Sequence, residues 1–151
     1  MAGGHVFAGN VEGLFLCANP VTRWPQWKYT KAEADFFSSP AVGAKAVLVG
    51  SRDRRLHAID RQFGDPLWTF ATRGDVDSSP ALVGDKVVFG SGDGRVYMVR
   101  ASDGRQVWAY DVGAAVASSP AVAGRRVVIG SDDGTVYCFG PKGETAISNK
   151  K

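Results

Sequence analysis

Two cysteines in 151 residues are too few for a disulfide-stapled scaffold. Cys17 and Cys138 stand far apart in the chain. Neither they nor His5 and His57 fall into a C-x-x-C or H-x-x-x-H spacing, so no common zinc motif is present. No apolar run reaches the roughly eighteen residues of a membrane-spanning helix. The N-terminal MAGGHVFAGN lacks the charged and apolar regions of a secretion signal. Cytoplasmic residence is therefore the default expectation, unless the chain is an excised piece of a longer one. A strong excess of charge of one sign is also missing: 18 Lys and Arg against 15 Asp and Glu leave +3. That balance argues against a nucleic-acid partner, and the doublets Arg54-Arg55 and Arg125-Arg126 read as solvated edges. Helical periodicity is missing throughout. What is plentiful is glycine, 19 residues of it, in a chain whose length fits one domain.

The chain repeats itself. SSPA occurs at 38–41, 78–81 and 118–121, a period of forty. Each copy continues into an apolar run ending in Gly-Ser (AVLVGS, KVVFGS, RVVIGS) and a tight turn with an acidic residue at Asp53, Asp93 or Asp133. A second apolar run and a strand opening on tryptophan follow. A diverged first copy starts at His5 at an offset of forty-one. It places Glu12 in the acidic column and Trp27 in register with Trp68 and Trp108. Each unit predicts four short strands, with SSPA itself as the innermost. The two middle strands are apolar at consecutive residues, which requires burial on both faces. The last strand alternates, as an outer edge does. Four short strands per forty residues, stacked so that both faces are covered, describe a β-propeller blade. The expected architecture is a single all-β propeller over 1–151, with blade units near 3–37, 38–77, 78–117 and 118–151.

The segment AIDRQFGDPLW places Ala58, Asp60, Gly64 and Trp68 in an A-x-D-x-x-x-G-x-x-x-W pattern. In this the chain resembles the quinoprotein-type propellers, built from repeats like those of the pyrroloquinoline quinone (PQQ) enzymes. The next copy keeps Gly104 and Trp108 but has Met98 and Arg100 at the Ala and Asp positions. The first keeps only Trp27, and Ser148 stands where a further tryptophan would fall. The resemblance implies that Trp27, Trp68 and Trp108 pack between neighbouring blades and that the glycines permit the turn carrying them.

Ring closure stays open at this level. The first copy lacks an SSPA segment and the last lacks a tryptophan strand, with GETAISNKK a poor substitute. Four units fit a four-bladed ring, half of an eight-bladed ring made by two chains, or a piece of a longer chain.

Catalytic relatives hold PQQ with Ca²⁺, an aspartate and often a vicinal cysteine pair. None of that set is recognisable, so no catalytic, cofactor-binding or metal-ligating residue is assigned. The cysteines share one repeat column with Ala58 and Met98 and read as buried thiols, and His57 reads as a packed core residue in the column of Tyr97 and Tyr137. The acidic column reads as turn chemistry. Residues that break the repeat are the candidates for a contact surface: Trp24, Phe37, Asp75 and Asp77. Trp24 and Phe37 serve equally well as patches for the diverged first unit. The resulting expectation is a non-enzymatic scaffold that binds a protein or peptide and forms a homo-oligomer or part of a longer chain. It resembles the bacterial outer-membrane-assembly lipoprotein and the sensor propellers fused to kinases. The alternatives are a fragment of a PQQ-dependent dehydrogenase and a truncated or reconstructed propeller.

Overall fold

The computed structural model describes residues 4–140. Within them the strands form four antiparallel sheets. The first sheet is β1 (Val6–Gly9), β2 (Phe15–Ala18) and β3 (Pro25–Tyr29). The second is β4 (Ala41–Val42), β5 (Ala46–Ser51), β6 (Arg55–Asp60) and β7 (Pro66–Ala71). The third is β8 (Ala81–Val83), β9 (Lys86–Ser91), β10 (Arg95–Arg100) and β11 (Gln106–Asp111). The fourth is β12 (Ala121–Ala123), β13 (Arg126–Gly130) and β14 (Val136–Phe139). In each sheet the strands pair in chain order through short hairpins. The segment considered for a further strand, Thr145–Ser148, lies outside the described residues.

SSPA is not itself a strand, contrary to the expectation above. The innermost strands begin at Ala41, Ala81 and Ala121, the residue after each proline. Proline has no N–H for a ladder, and the serines before it spend their polar groups elsewhere. The first serine clips to its own sheet. Ser38 Oγ accepts from Gly50 N–H (2.7 Å) and donates to Gly50 C=O (3.0 Å), and Ser118 does the same with Gly130. Ser78 Oγ accepts from Gly90 N–H at 3.0 Å. The second serine joins neighbouring sheets. Ser39 N–H donates to Ser79 Oγ (2.8 Å) and Ser79 N–H to Ser119 Oγ (3.0 Å), a ladder with the period of the sequence.

The apolar residues sort by sheet face. Leu48, Leu56 and Ala58 of the second sheet pack against Val87, Phe89, Tyr97 and Val99 of the third. Val88 and Val96 on the opposite face of the third meet Val127 and Ile129 of the fourth. Phe15, Cys17, Trp27 and Tyr29 of the first meet Val47, Val49 and Ile59 of the second. Three seams thus join four sheets. β5 and β9 are buried on both faces, whereas β13 alternates between buried and exposed and β1 has no buried residue. Identical apolar patterning ends up covered twice in the middle and once at the ends.

The serine clip gives a test. Ser38→Ala orphans the Gly50 N–H and C=O inside the fold and is expected to cost about 1–3 kcal/mol. Ser118→Ala removes the same bonds where the serine is exposed and water can replace them, with a loss of about 0.5 kcal/mol or less. Urea unfolding midpoints of the two variants check the difference, and equal losses would refute this account of the clip.

Candidate functional site

The tryptophans and glycines of the repeat meet across the seams. The Trp27 indole lies on Gly64 of the next sheet, where an added Cβ would sit 2.7 Å from the ring. Trp68 covers Gly104 in the same way, at 2.5 Å. Both glycines have positive φ, 78° and 71°. The ring N–H closes each joint: Trp27 Nε1 donates to Arg61 C=O (3.1 Å) and Trp68 Nε1 to Ala101 C=O (3.2 Å). Asp60 Oδ1 accepts the N–H groups of Gln62 and Phe63 (both 2.8 Å) and so shapes the turn that presents Gly64. Ala58 pairs directly with Trp68, as Cys17 does with Trp27 and Met98 with Trp108. A register shift follows immediately after each of these three pairs. The bulge re-aims the outer strand. Trp108 meets Phe139 edge-on, 4.8 Å between ring centres; the turn corresponding to Gly64 and Gly104 there lies outside the described residues.

Of the four repeat-breaking residues, the structure brings Phe37 and Asp77 together through Arg52, with the Asp75 charge nearby. Arg52 sits in the hairpin between β5 and β6, at the column position of Gly92 and Asp132. Its guanidinium lies 3.8 Å over the Phe37 ring and pairs side-on with Asp77 (Nε–Oδ1 3.0 Å, Nη2–Oδ2 3.0 Å). Phe37 and Asp77 are the same repeat position on successive loops, so one arginine ties two copies together. The bond to Asp77, with the nearby charges of Asp75 and Asp35, raises the Arg52 pKa further. Phe37 remains 51% exposed. Trp24, 73% exposed, belongs to the turn between β2 and β3, which antiparallel pairing puts at the opposite end of the sheet. Sequence reasoning missed Arg52; its departure from the Gly92 and Asp132 column was the available signal.

A second feature went unrecognised. His57, 1% exposed, is the centre of a buried chain across the first seam. Its Nε2–H donates to the Asp53 carboxylate (2.9 Å), which leaves Nδ1 to accept from the Tyr29 hydroxyl (2.8 Å). In the next sheet Tyr97 takes the position of His57 and donates to Asp93 at 2.7 Å. The acidic column does more than make turns: Asp53 also accepts Glu33 N–H and Asp93 accepts Arg73 N–H, each from the preceding loop. Burial opposes ionisation of Asp53, but the hydrogen bonds from His57 and Glu33 outweigh it and hold its carboxyl below the ordinary 3.8. Tyr29 is pushed up to about 12 by burial and by the Asp53 charge, against Arg55.

Burial likewise raises the Cys17 thiol, with Arg61 opposing. A cleft of about 550 Å³ beside it, between the first and second sheets, is lined by Phe7, Trp27, Lys45 and Arg61 among others. The Cys17 thiol, the His5 imidazole and the Asp60 carboxylate also line it. No group of three or more potential metal ligands occurs among the described residues, and no helix there is long and apolar enough to cross a membrane.

Short antiparallel sheets stacked face to face at a forty-residue period, the first two seams each pinned by a tryptophan, define a β-propeller of PQQ-like repeats. The profile of the family described as outer membrane protein assembly factor BamB matches residues 1–146, and the chain belongs to that family. BamB from Moraxella catarrhalis superimposes with a TM-score of 0.83 at 20% identity, over 95% of this chain and 48% of that one. The chain thus spans about half the length of that relative. The computationally designed Ika4 protein matches with a TM-score of 0.83 at 18% identity, over 93% of this chain and 87% of Ika4. The designed Ika8 protein also reaches 0.83, at 17% identity, over 97% of this chain and 46% of Ika8. No curated protein sequence matches the chain.

Two tests follow from this geometry. Gly104→Ala forces a Cβ into the Trp68 ring at positive φ and is expected to cost roughly 2–4 kcal/mol. Gly113→Ala, also at positive φ but with nothing within 4 Å, pays only the backbone cost of about 1 kcal/mol. Denaturant unfolding of both variants separates the seat from the turn. The second concerns acid. Because the folded Asp53 pKa lies below the ordinary 3.8, its stabilisation is present above that value and lost as pH falls through the lower, folded one. Asp53→Asn is expected to destabilise at neutral pH and to lose a smaller share of its stability on acidification; an unchanged pH profile counts against the His57–Asp53 bond.

Proposed function

We propose that the chain is a non-enzymatic scaffold, a PQQ-like propeller segment that binds a protein or peptide partner on the loop end carrying Arg52. The observation that carries this reading is the Phe37–Arg52–Asp77 cluster. Three side chains that depart from the repeat converge at one place, with an aromatic ring half in water. Exposed aromatics and arginine are the residues that most often anchor a partner. Membership of a family described as an assembly factor supports the same reading. On this reading the four sheets are one arc of a larger ring. Support comes from the three seams among four sheets and from the 48% share of the Moraxella protein that the chain covers. A second reading, a shortened propeller that acts as a self-assembling unit, is favoured by the near-equal length of Ika4.

Selection of peptides from a random displayed library against the intact chain tests the first reading. Selected peptides are expected to lose about tenfold or more in affinity with Phe37→Ala or Arg52→Ala, and to be indifferent to Trp24→Ala. Binders that map to Trp24, or that ignore Arg52, would overturn it. With PQQ and Ca²⁺ added, dye reduction is expected to stay at background.

A further inference from the structure

The two end sheets each present an apolar face whose counterpart inside the molecule is covered. Within the seams, one face of each sheet always receives the opposite face of the next. The outward face of the fourth sheet carries Val128, 38% exposed, and Val136, 47% exposed, with half-buried Cys138 between β13 and β14 neighbours. The same columns in the third sheet are Val88 and Val96, both 0% exposed beneath the fourth sheet. At the other end, β1 and β2 turn Val6 (37% exposed), Ala8 and Leu16 outward. Those columns in the second sheet are Val47, Val49 and His57, all buried against the first. The two end faces are therefore the two halves of the seam that the chain makes three times internally.

We propose that two copies of this chain join head to tail, the outward face of the fourth sheet of each packing on the outward face of the first sheet of the other. The proposal deepens the ring reading above by naming what completes the arc: a second copy. Three observations select it. No core cluster joins the first and fourth sheets of one chain among the described residues, so the arc that those residues form is open. One chain spans 48% of the Moraxella protein and 46% of Ika8 with a TM-score of 0.83 to each, so two copies supply about the length of one such chain. The docking pair of the internal seams is also missing from both sides of this junction. The turn of the first sheet has Arg23, at φ 60°, in the register of Gly64, and position 148 is serine where the next tryptophan would fall. A face without the indole meets a turn without its seat. Because the two faces differ, the contact is heterologous, and it ends at two copies only because the arcs close on each other.

Sedimentation equilibrium of the intact chain is expected to give twice the 16.0 kDa chain mass, and Val128→Asp or Val6→Asp to return it to the single-chain mass. Both sites are already exposed, so the fold tolerates the charge. The decisive readout is Cys138 alkylation. In the wild-type chain it slows severalfold as concentration rises, and Val6→Asp, at the far end of the molecule, restores the fast rate. Four results would each overturn the proposal: a single-chain mass at all concentrations, a ladder of larger species, Cys138 protection independent of concentration, or protection that survives Val6→Asp. Arg52→Ala leaves the two-chain mass unchanged, so loss of peptide binding and loss of the paired arcs are separate outcomes.

Discussion

A sheet of three or four short strands with valine on both faces is not stable in water until each face is covered. Burying a valine or leucine side chain is worth about 1.5–3 kcal/mol, and an isolated hairpin gains too little of this to hold. The whole architecture follows from that constraint. Each sheet borrows a face from its neighbour, so the unit of stability is the seam between sheets. The Leu48–Phe89 and Val88–Ile129 clusters are the core of this molecule, divided into slices.

Polar groups make the slices register. Apolar faces alone would slide, but the serine ladder from Ser39 to Ser79 to Ser119 admits one offset, and the indole N–H bonds of Trp27 and Trp68 admit one rotation. The glycine seats matter because a flat ring can approach backbone only where there is no Cβ. In the first seam a buried Tyr29–His57–Asp53 chain adds a further lock. It replaces the simpler tyrosine-to-carboxylate bond of Tyr97 and Asp93.

On the proposed reading, function on such a frame belongs to departures from the repeat. Arg52 illustrates the logic: it occupies a hairpin position held elsewhere by Gly92 and Asp132, and reaches two loops at once. The frame makes the reach possible, since successive loops carry equivalent positions side by side. Arg52 and Phe37 are exposed and can vary without disturbing the seams, whereas the neighbouring loop residues Phe36, Val76 and Val116 are buried in the seam cores.

The repeat, the strand order within each unit and the columns of tryptophan, glycine and serine were legible in the amino-acid sequence. Local chemistry sets them: proline ends a ladder, Asp-Gly makes a hairpin, and consecutive valines demand two covered faces. Where strands begin was less legible, since a serine hydroxyl that clips to Gly50 and one that pairs in a ladder look alike in one dimension. Neither Arg52 over Phe37 nor His57 beneath Tyr29 could be read, because each joins residues from different units whose approach depends on how the sheets stack. The sequence by itself determined the blade and its period. Only the tertiary structure decided that Val88 lies covered and Val128 open, because burial belongs to the neighbour a face meets and not to the residue that bears it.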